Sequence, residues 1–208
     1  LRRFGFGNET GVDLSGEVQG MLKLPGDSNW FPSELGTNSF GQGIAVTPMQ
    51  MVTAVAAVAN DGLLMKPYIV QEYVHHEPRG GRSRRVSVSP TVQRRAVSQQ
   101  AARTLKEMMV QVVEQGATRA KVRGYRVAGK TGTAEIPTAV GYDRKNTIHS
   151  FVGFAPADEP RFVVLVKLDK PKEGKWGSWT AAPTFRRIAE ELLLYMQIPP
   201  DADRVAQR

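Results

Sequence analysis

Hydrophobic positions along this chain follow two rhythms, and the switch between them marks out the elements. A helical period starts at Thr47: Met49, Val52, Val55, Ala56 and Ala59 recur on one face. Thr47 suits the N-cap, Pro48 the first helical position, and Gln50 completes a capping box, with Gly62 ending the run. A second helix is predicted after Ser98, with Leu105, Met108, Met109, Val112 and Val113 as its core stripe and Gly116 as its stop. A third carries Phe185, Ile188, Ala189, Leu192, Leu193 and Met196 on one stripe, and Pro199-Pro200 closes it. Elsewhere the period shortens. The β-prone runs YIVQEYV, RVSVS and VQRRAV surround the turn-rich EPRGGRSRR between Tyr68 and Val97, which predicts a solvated hairpin. Three further strands are predicted at roughly 125–135, 148–155 and 161–169, the last two joined by PADEP as an antiparallel hairpin.

Residues 1–46 are rich in Gly and turn formers and read as a loop-dominated surface lobe with short extended pieces. The closing DADRVAQR reads as a polar tail, so the expected division is 1–198 as folded domain and 199–208 as tail. Helix, three strands and helix in that order predict an α+β fold, an antiparallel sheet covered by helices.

Composition narrows this picture. Of 208 residues, 41% are hydrophobic and 23% charged, ordinary globular values that exclude wholesale disorder. A net charge of +8 favours anionic surroundings without choosing among them. The absence of Cys excludes a disulfide framework, a thiolate zinc site and a cysteine nucleophile. The longest mainly apolar stretch, Ile44 to Ala59, falls short of the roughly 20 apolar residues a membrane span needs. With Leu1 rather than Met at its start and no visible signal peptide, the chain is expected to be an excised or processed piece.

The densest chemical signal is GYRVAGKTGTAE, residues 124–135, and two readings fit its letters. Gly124 to Thr131 matches a phosphate loop, with Asp169 at the end of FVVLVKLD as the magnesium-holding acid. That reading requires a helix opening at Lys130-Thr131, and Gly132, Pro137 and Gly141 do not sustain one. The other reading places Lys130, Thr131, Gly132 and Thr133 on an extended strand. There the ammonium supplies positive potential, the two hydroxyls grip a carboxylate, and the glycine admits a ligand close to the backbone.

K-T-G is one signature of serine penicillin-recognising enzymes. Its surroundings here, FGFGNETGVDLSGEVQG, NSFGQGIAVTPMQM, AVANDGLLMKPYIV, EMMVQVVEQG, HSFVGFAPADEPRFVVLVKLDKP and AAPTFRRIAEELLLYM, occur in the order seen in class B penicillin-binding proteins. The chain resembles the C-terminal part of that transpeptidase domain over roughly residues 4–198, and looks most like the septal type.

The resemblance implies a partial penicillin-binding, serine β-lactamase-like fold. It also implies a peptidoglycan DD-transpeptidase that forms an acyl-enzyme on a D-Ala–D-Ala stem peptide and is acylated by β-lactams. It assigns Lys130 and the Thr133 backbone N–H, half of an oxyanion hole, to catalysis. Lys130, Thr131, Gly132 and Thr133 bind substrate. It implies neither cofactor nor metal. As partners it implies the stem peptide, β-lactams, the remaining half of the domain, and glycan-polymerising and divisome proteins. It implies a place on the outer face of the bacterial plasma membrane, anchored by a segment outside this chain.

The family's S-x-x-K and S-x-N signatures are absent: no serine here is followed by Lys at +3 or Asn at +2. The nucleophile is therefore expected upstream of Leu1, and the chain alone is expected to be inactive. A carboxypeptidase or β-lactam sensor of the same fold is the rival within the class. The phosphate loop and a basic binding module stand outside it.

Simpler readings cover the remaining candidates. His75-His76-Glu77 reads as part of a loop excursion rather than a metal site, and His149 as a satisfied or surface histidine. The run Arg79, Arg82, Arg84, Arg85, Arg94 and Arg95 reads as a solvated surface facing membrane or glycan rather than nucleic acid. Arg119, Lys121, Arg123 and Arg126 are expected to raise the potential beside the strand, and Tyr142 is placed in the loop after it.

Overall fold

The computed structural model describes the chain except residues 77–82, 139–140, 173, 175 and 207–208, with the side chains of Pro137 and Arg144 also left undescribed. It contains two compact units, Leu1–Ala57 with Leu63–Val97, and Val58–Gly62 with Ser98–Arg208.

In the first unit a loop-rich segment leads through helix α1 (Ser33–Ser39) to helix α2 (Pro48–Ala59), most of which lies in this unit. The short helix α1 lies inside the stretch that the sequence suggested was a loop-dominated lobe with short extended pieces. The capping box at α2 forms as expected: Thr47 N–H donates to Gln50 Oε1 at 2.9 Å, and Gln50 N–H donates to Thr47 Oγ1 at 3.1 Å. The helix is rotated from the predicted face, however. Gln50, Ala54 and Ala57 are buried, while Met49, Val52, Val55, Ala56 and Ala59 are half-buried. Gln50 causes the rotation, because its Nε2 donates to the carbonyls of Asn8 at 2.7 Å and Gln19 at 2.8 Å. An amide with that many partners satisfies itself inside the fold.

Strand β1 (Leu63–Met65) pairs antiparallel with β4 (Val92–Arg95), and β2 (Glu72–His75) pairs with β3 (Arg84–Ser87). The predicted hairpin is thus present in its strands, and its tip lies outside the described residues. Its exposed faces carry the Arg85–Glu72 ion pair at 2.7 Å, and His76 Nδ1 lies 3.0 Å from Ser83 Oγ. Of the Arg run, Arg79 and Arg82 lie outside the described residues, and Arg94 Nε donates to the Arg3 carbonyl at 3.1 Å.

The second unit is a three-stranded antiparallel sheet with helices. Helix α3 (Gln99–Gln111) is capped by Ser98, whose side chain accepts from Ala101 N–H, and it continues into a π-helical turn over Val112–Gly116. Its buried line is Ala102, Val110 and Val113, whereas Met108 is 59% exposed. Of the predicted stripe, Val113 is buried, Leu105, Met109 and Val112 are half-buried, and Met108 is exposed, so the inward line is shifted toward Ala102 and Val110. Small side chains at 102 and 117 let this segment seat closely, which a stripe counted by side-chain bulk does not reveal. At the start of this unit, Asp61 accepts from Lys106 Nζ at 2.8 Å and Gln99 Nε2 at 3.0 Å. The Lys106 bond, then the Gln99 bond, hold its carboxyl below the usual range.

Strands β5 (Ala128–Thr138), β6 (Gly141–Ala155) and β7 (Phe162–Asp169) stand in the order β5-β6-β7. The first two run further than expected, so Tyr142 lies on a strand rather than in a loop, opposite Pro137. Helix α4 (Gly177–Tyr195) begins earlier than its stripe suggested and covers one face of the sheet. Its Phe185 ring lies 4.7 Å from that of Phe151, in a core completed by Ala181, Ala182, Ala189 and Leu193. Ile188 of the predicted stripe is 38% exposed.

The expected polar tail is in fact docked. Helix α5 (Asp201–Ala206) is fastened by Asp201, whose Oδ2 accepts from Arg126 N–H at 2.7 Å. Arg204 Nη2 bridges Asp158 at 2.5 Å and Asp201 at 2.7 Å. Arg204 Nε and Nη1 are buried without partners among the described residues, which offsets part of the gain from the two ion pairs. Arg204→Ala is accordingly expected to cost only about 1 kcal/mol, with faster hydrogen exchange at the α5 and Arg126 amides as the measurement.

Candidate active site

The segment V-A-G-K-T-G-T-A leaves the core as it runs. Val127, Ala128 and Gly129 are buried, Lys130 is exposed, and Thr131, Gly132 and Thr133 are half-buried. β5 is an end strand, and among the described residues no strand pairs with its outer edge. An antiparallel neighbour engages only alternate residues of such a strand, so its outer edge carries a row of peptide groups open to a ligand.

Register fixes the faces. Thr133 stands opposite His149 and Thr131 opposite Phe151, on the face that α4 covers. Lys130, opposite Val152, and Gly132, opposite Ser150, lie on the other face. An ammonium and two hydroxyls therefore flank one strand edge from its two sides. A carboxylate or extended peptide laid along that edge is within reach of both faces.

Each group is held for such contact. Lys130 Nζ donates to the Thr131 carbonyl at 3.0 Å, leaving two ammonium protons for other acceptors. Thr133 Oγ1 accepts from the Gly177 N–H at 3.3 Å and keeps its own proton to donate. At position 132 a Cβ would run into Ser150 Oγ, so any larger residue there would have to displace that hydroxyl. Gly177, at the start of α4, lies so close over the sheet that a Cβ would sit 2.6 Å from the carbonyl oxygens of Gly132 and Ser150.

Of the basic residues expected to raise the local potential, Lys121 pairs with Glu114, and Arg126 pairs with Glu107 at 2.7 Å. Arg119 stacks 3.9 Å from the centre of the Trp179 ring. Lys130 is the cation that the strand itself carries, and it is exposed. At the outer end of β6, bonds from the Asn146 side chain and then the Lys145 amide hold the Asp143 carboxyl below its usual range.

The phosphate-loop reading fails here. Lys130 and Thr131 lie within a strand that continues to Thr138, so no helix N-terminus opens behind them. Asp169, its proposed magnesium ligand, ends β7 beside Lys167 Nζ at 3.3 Å. A cavity of about 420 Å³ lies at the C-terminal end of α4, lined by Val122, Tyr125, Leu193 and Ile198 among others, and contains none of the four strand residues. The strand edge is the better site, because functional groups converge there.

Sequence reasoning missed Gly177, Thr180 and Ser150. Gly177 and Ser150 meet the strand, and Thr180 meets its neighbour through His149, from positions far along the chain, and nothing in their local pattern sets them apart.

The family described as the penicillin binding protein transpeptidase domain matches residues 1–190, and the chain belongs to it. Stage V sporulation protein D of Bacillus subtilis is 38% identical over 100% of this chain and 32% of its own length. Peptidoglycan D,D-transpeptidase FtsI of Escherichia coli K12 is 33% identical over 96% of this chain and 32% of its own length. Among solved structures, penicillin binding protein 3 of Mycobacterium tuberculosis complexed with aztreonam superposes with a TM-score of 0.84 at 34% identity, over 96% of this chain and 46% of that one. The chain spans about a third of the length of these curated relatives.

Proposed function

We propose that this chain supplies one wall of a serine acyl-transfer site that cross-links peptidoglycan stem peptides and is acylated by β-lactams. The observation that carries the reading is the K-T-G-T run on a strand edge that no strand pairs with among the described residues, with Lys130 on one face and the Thr131 and Thr133 hydroxyls on the other.

In this reading the D-Ala–D-Ala terminus lies along β5, its carboxylate held by the two threonine hydroxyls under the potential of Lys130. A serine from another segment of the full-length protein attacks the penultimate D-Ala carbonyl. The oxygen that gains negative charge is met by the Thr133 N–H and a second amide. The intermediate collapses to an ester on the serine, and the terminal D-Ala leaves as an amine carrying a proton. An amine of a neighbouring stem then attacks the ester, forms the cross-link and returns the serine hydroxyl. A β-lactam follows the first step, but its leaving amine stays tethered in the opened ring.

The serine is placed outside this chain because no S-x-x-K occurs within it. The same reading places the protein on the outer face of the plasma membrane, alongside a glycan polymerase and division proteins, and gives K-T-G its role in substrate recognition.

Fluorescent penicillin tests this. The full-length protein is expected to label covalently at a serine of an S-x-x-K outside residues 1–208, and this chain alone is expected to remain unlabelled. Labelling of the isolated chain would place the nucleophile within it and overturn the assignment.

A further inference from the structure

We propose that His149 is a positioning residue that ties the first turn of α4 to β6, the strand paired with the site strand, so that the Gly177 amide fixes the Thr133 hydroxyl. The inference rests on the transpeptidase reading of β5.

His149 is 1% exposed and stands directly across the ladder from Thr133. Its Nε2 lies 2.9 Å from Thr147 Oγ1, and its Nδ1 lies 3.0 Å from Thr180 Oγ1. Proton bookkeeping assigns the tautomer. Thr180 Oγ1 donates its one hydroxyl proton to the Trp176 carbonyl at 3.3 Å, and with that proton spent we assign His149 Nδ1–H as the donor between the two side chains. Nε2 is then an acceptor and takes the Thr147 proton. Both ring nitrogens are then satisfied, as a buried imidazole requires.

The two bonds have different reach. Thr147 shares β6 with His149, so that bond orients the ring. Thr180 belongs to α4, three residues beyond Gly177, so that bond leaves the sheet and holds the helix end. Gly177 is the residue whose N–H meets Thr133 Oγ1 at 3.3 Å. With that donor in place, the hydroxyl oxygen is occupied and its proton faces outward. Once the helix end shifts, the hydroxyl is free to rotate and to spend its proton on a nearby carbonyl. The influence of His149 therefore passes through the Thr133 side chain.

A merely structural histidine would act regardless of what stands at 133, and this separates the two roles. The test is the second-order rate of acylation by fluorescent penicillin in the full-length protein. His149→Leu is expected to slow it on the order of tenfold. His149→Asn, whose amide N–H occupies the place of Nδ1–H, is expected to restore it to within about threefold of the parent. In a Thr133→Val background, His149→Leu is expected to change the remaining rate by no more than about twofold. Should His149→Leu fail to fold, Thr180→Val replaces it, with the same expected dependence on Thr133. The proposal is overturned if the Leu variant acylates at the parental rate, if Asn is as slow as Leu, or if the loss is undiminished beside Thr133→Val. Failure of the unsubstituted full-length protein to label strikes the transpeptidase reading instead.

Discussion

Lys130→Ala in the full-length protein is expected to lower the rate of penicillin acylation by roughly 10²–10³-fold, the scale seen when one preorganised electrostatic contact is removed. The argument is one of charge. Lys121 and Arg126 are taken up by Glu114 and Glu107, and Arg119 lies flat against Trp179. Lys130 retains an exposed ammonium whose only hydrogen bond among the described residues is to the Thr131 carbonyl. Because that side chain is exposed, stability is expected to change by less than about 0.5 kcal/mol. Stopped-flow acylation and thermal unfolding on the same preparation check both halves. Lys130→Arg is expected to recover only part of the rate, since a planar guanidinium does not place its charge where a compact ammonium does.

Gly177→Val is expected to damage both stability and activity. A side chain there meets the Gly132 and Ser150 carbonyl oxygens at 2.6 Å, and those belong to paired strands that cannot yield. The start of α4 must lift instead, at a cost of about 1–3 kcal/mol. Lifting it removes the amide from Thr133, so acylation is expected to fall more than tenfold. Urea unfolding followed by the labelling assay reads the two effects. A variant with parental stability and rate would mean that α4 is not seated on the strand as described.

The parts of this fold visible in the sequence are those governed by short-range chemistry. Thr47 and Gln50 lie three residues apart, and their reciprocal bonds form as the letters suggest. The placement of Lys130 to Thr133 on a strand followed from the helix-breaking residues after them, and the PADEP hairpin from the brevity of its connection. Helix faces were less legible. The side of α2 that turns inward holds Gln50, which reaches Asn8 and Gln19, and the inward side of α3 is made by Ala102 and Val110 rather than by Met108. The docking of DADRVA depends on Arg126 and Asp158, which stand far from it in sequence.

At the site, the four strand residues could be named from the motif, but what holds them could not. The Gly177 amide is 44 residues from Thr133, and the Thr180 hydroxyl is 31 residues from His149. His149 read as a satisfied or surface histidine, and it is buried with both ring nitrogens partnered. Its place opposite Thr133 becomes visible only once the β5–β6 register is known.

The most direct measurement is a crystal structure of the full-length protein acylated by a penicillin. The antibiotic carboxylate is expected within hydrogen-bond distance of the Thr131 and Thr133 hydroxyls, with the ester carbonyl oxygen on the Thr133 N–H. An adduct bound to a serine remote from β5, with no contact to those four residues, would contradict the account.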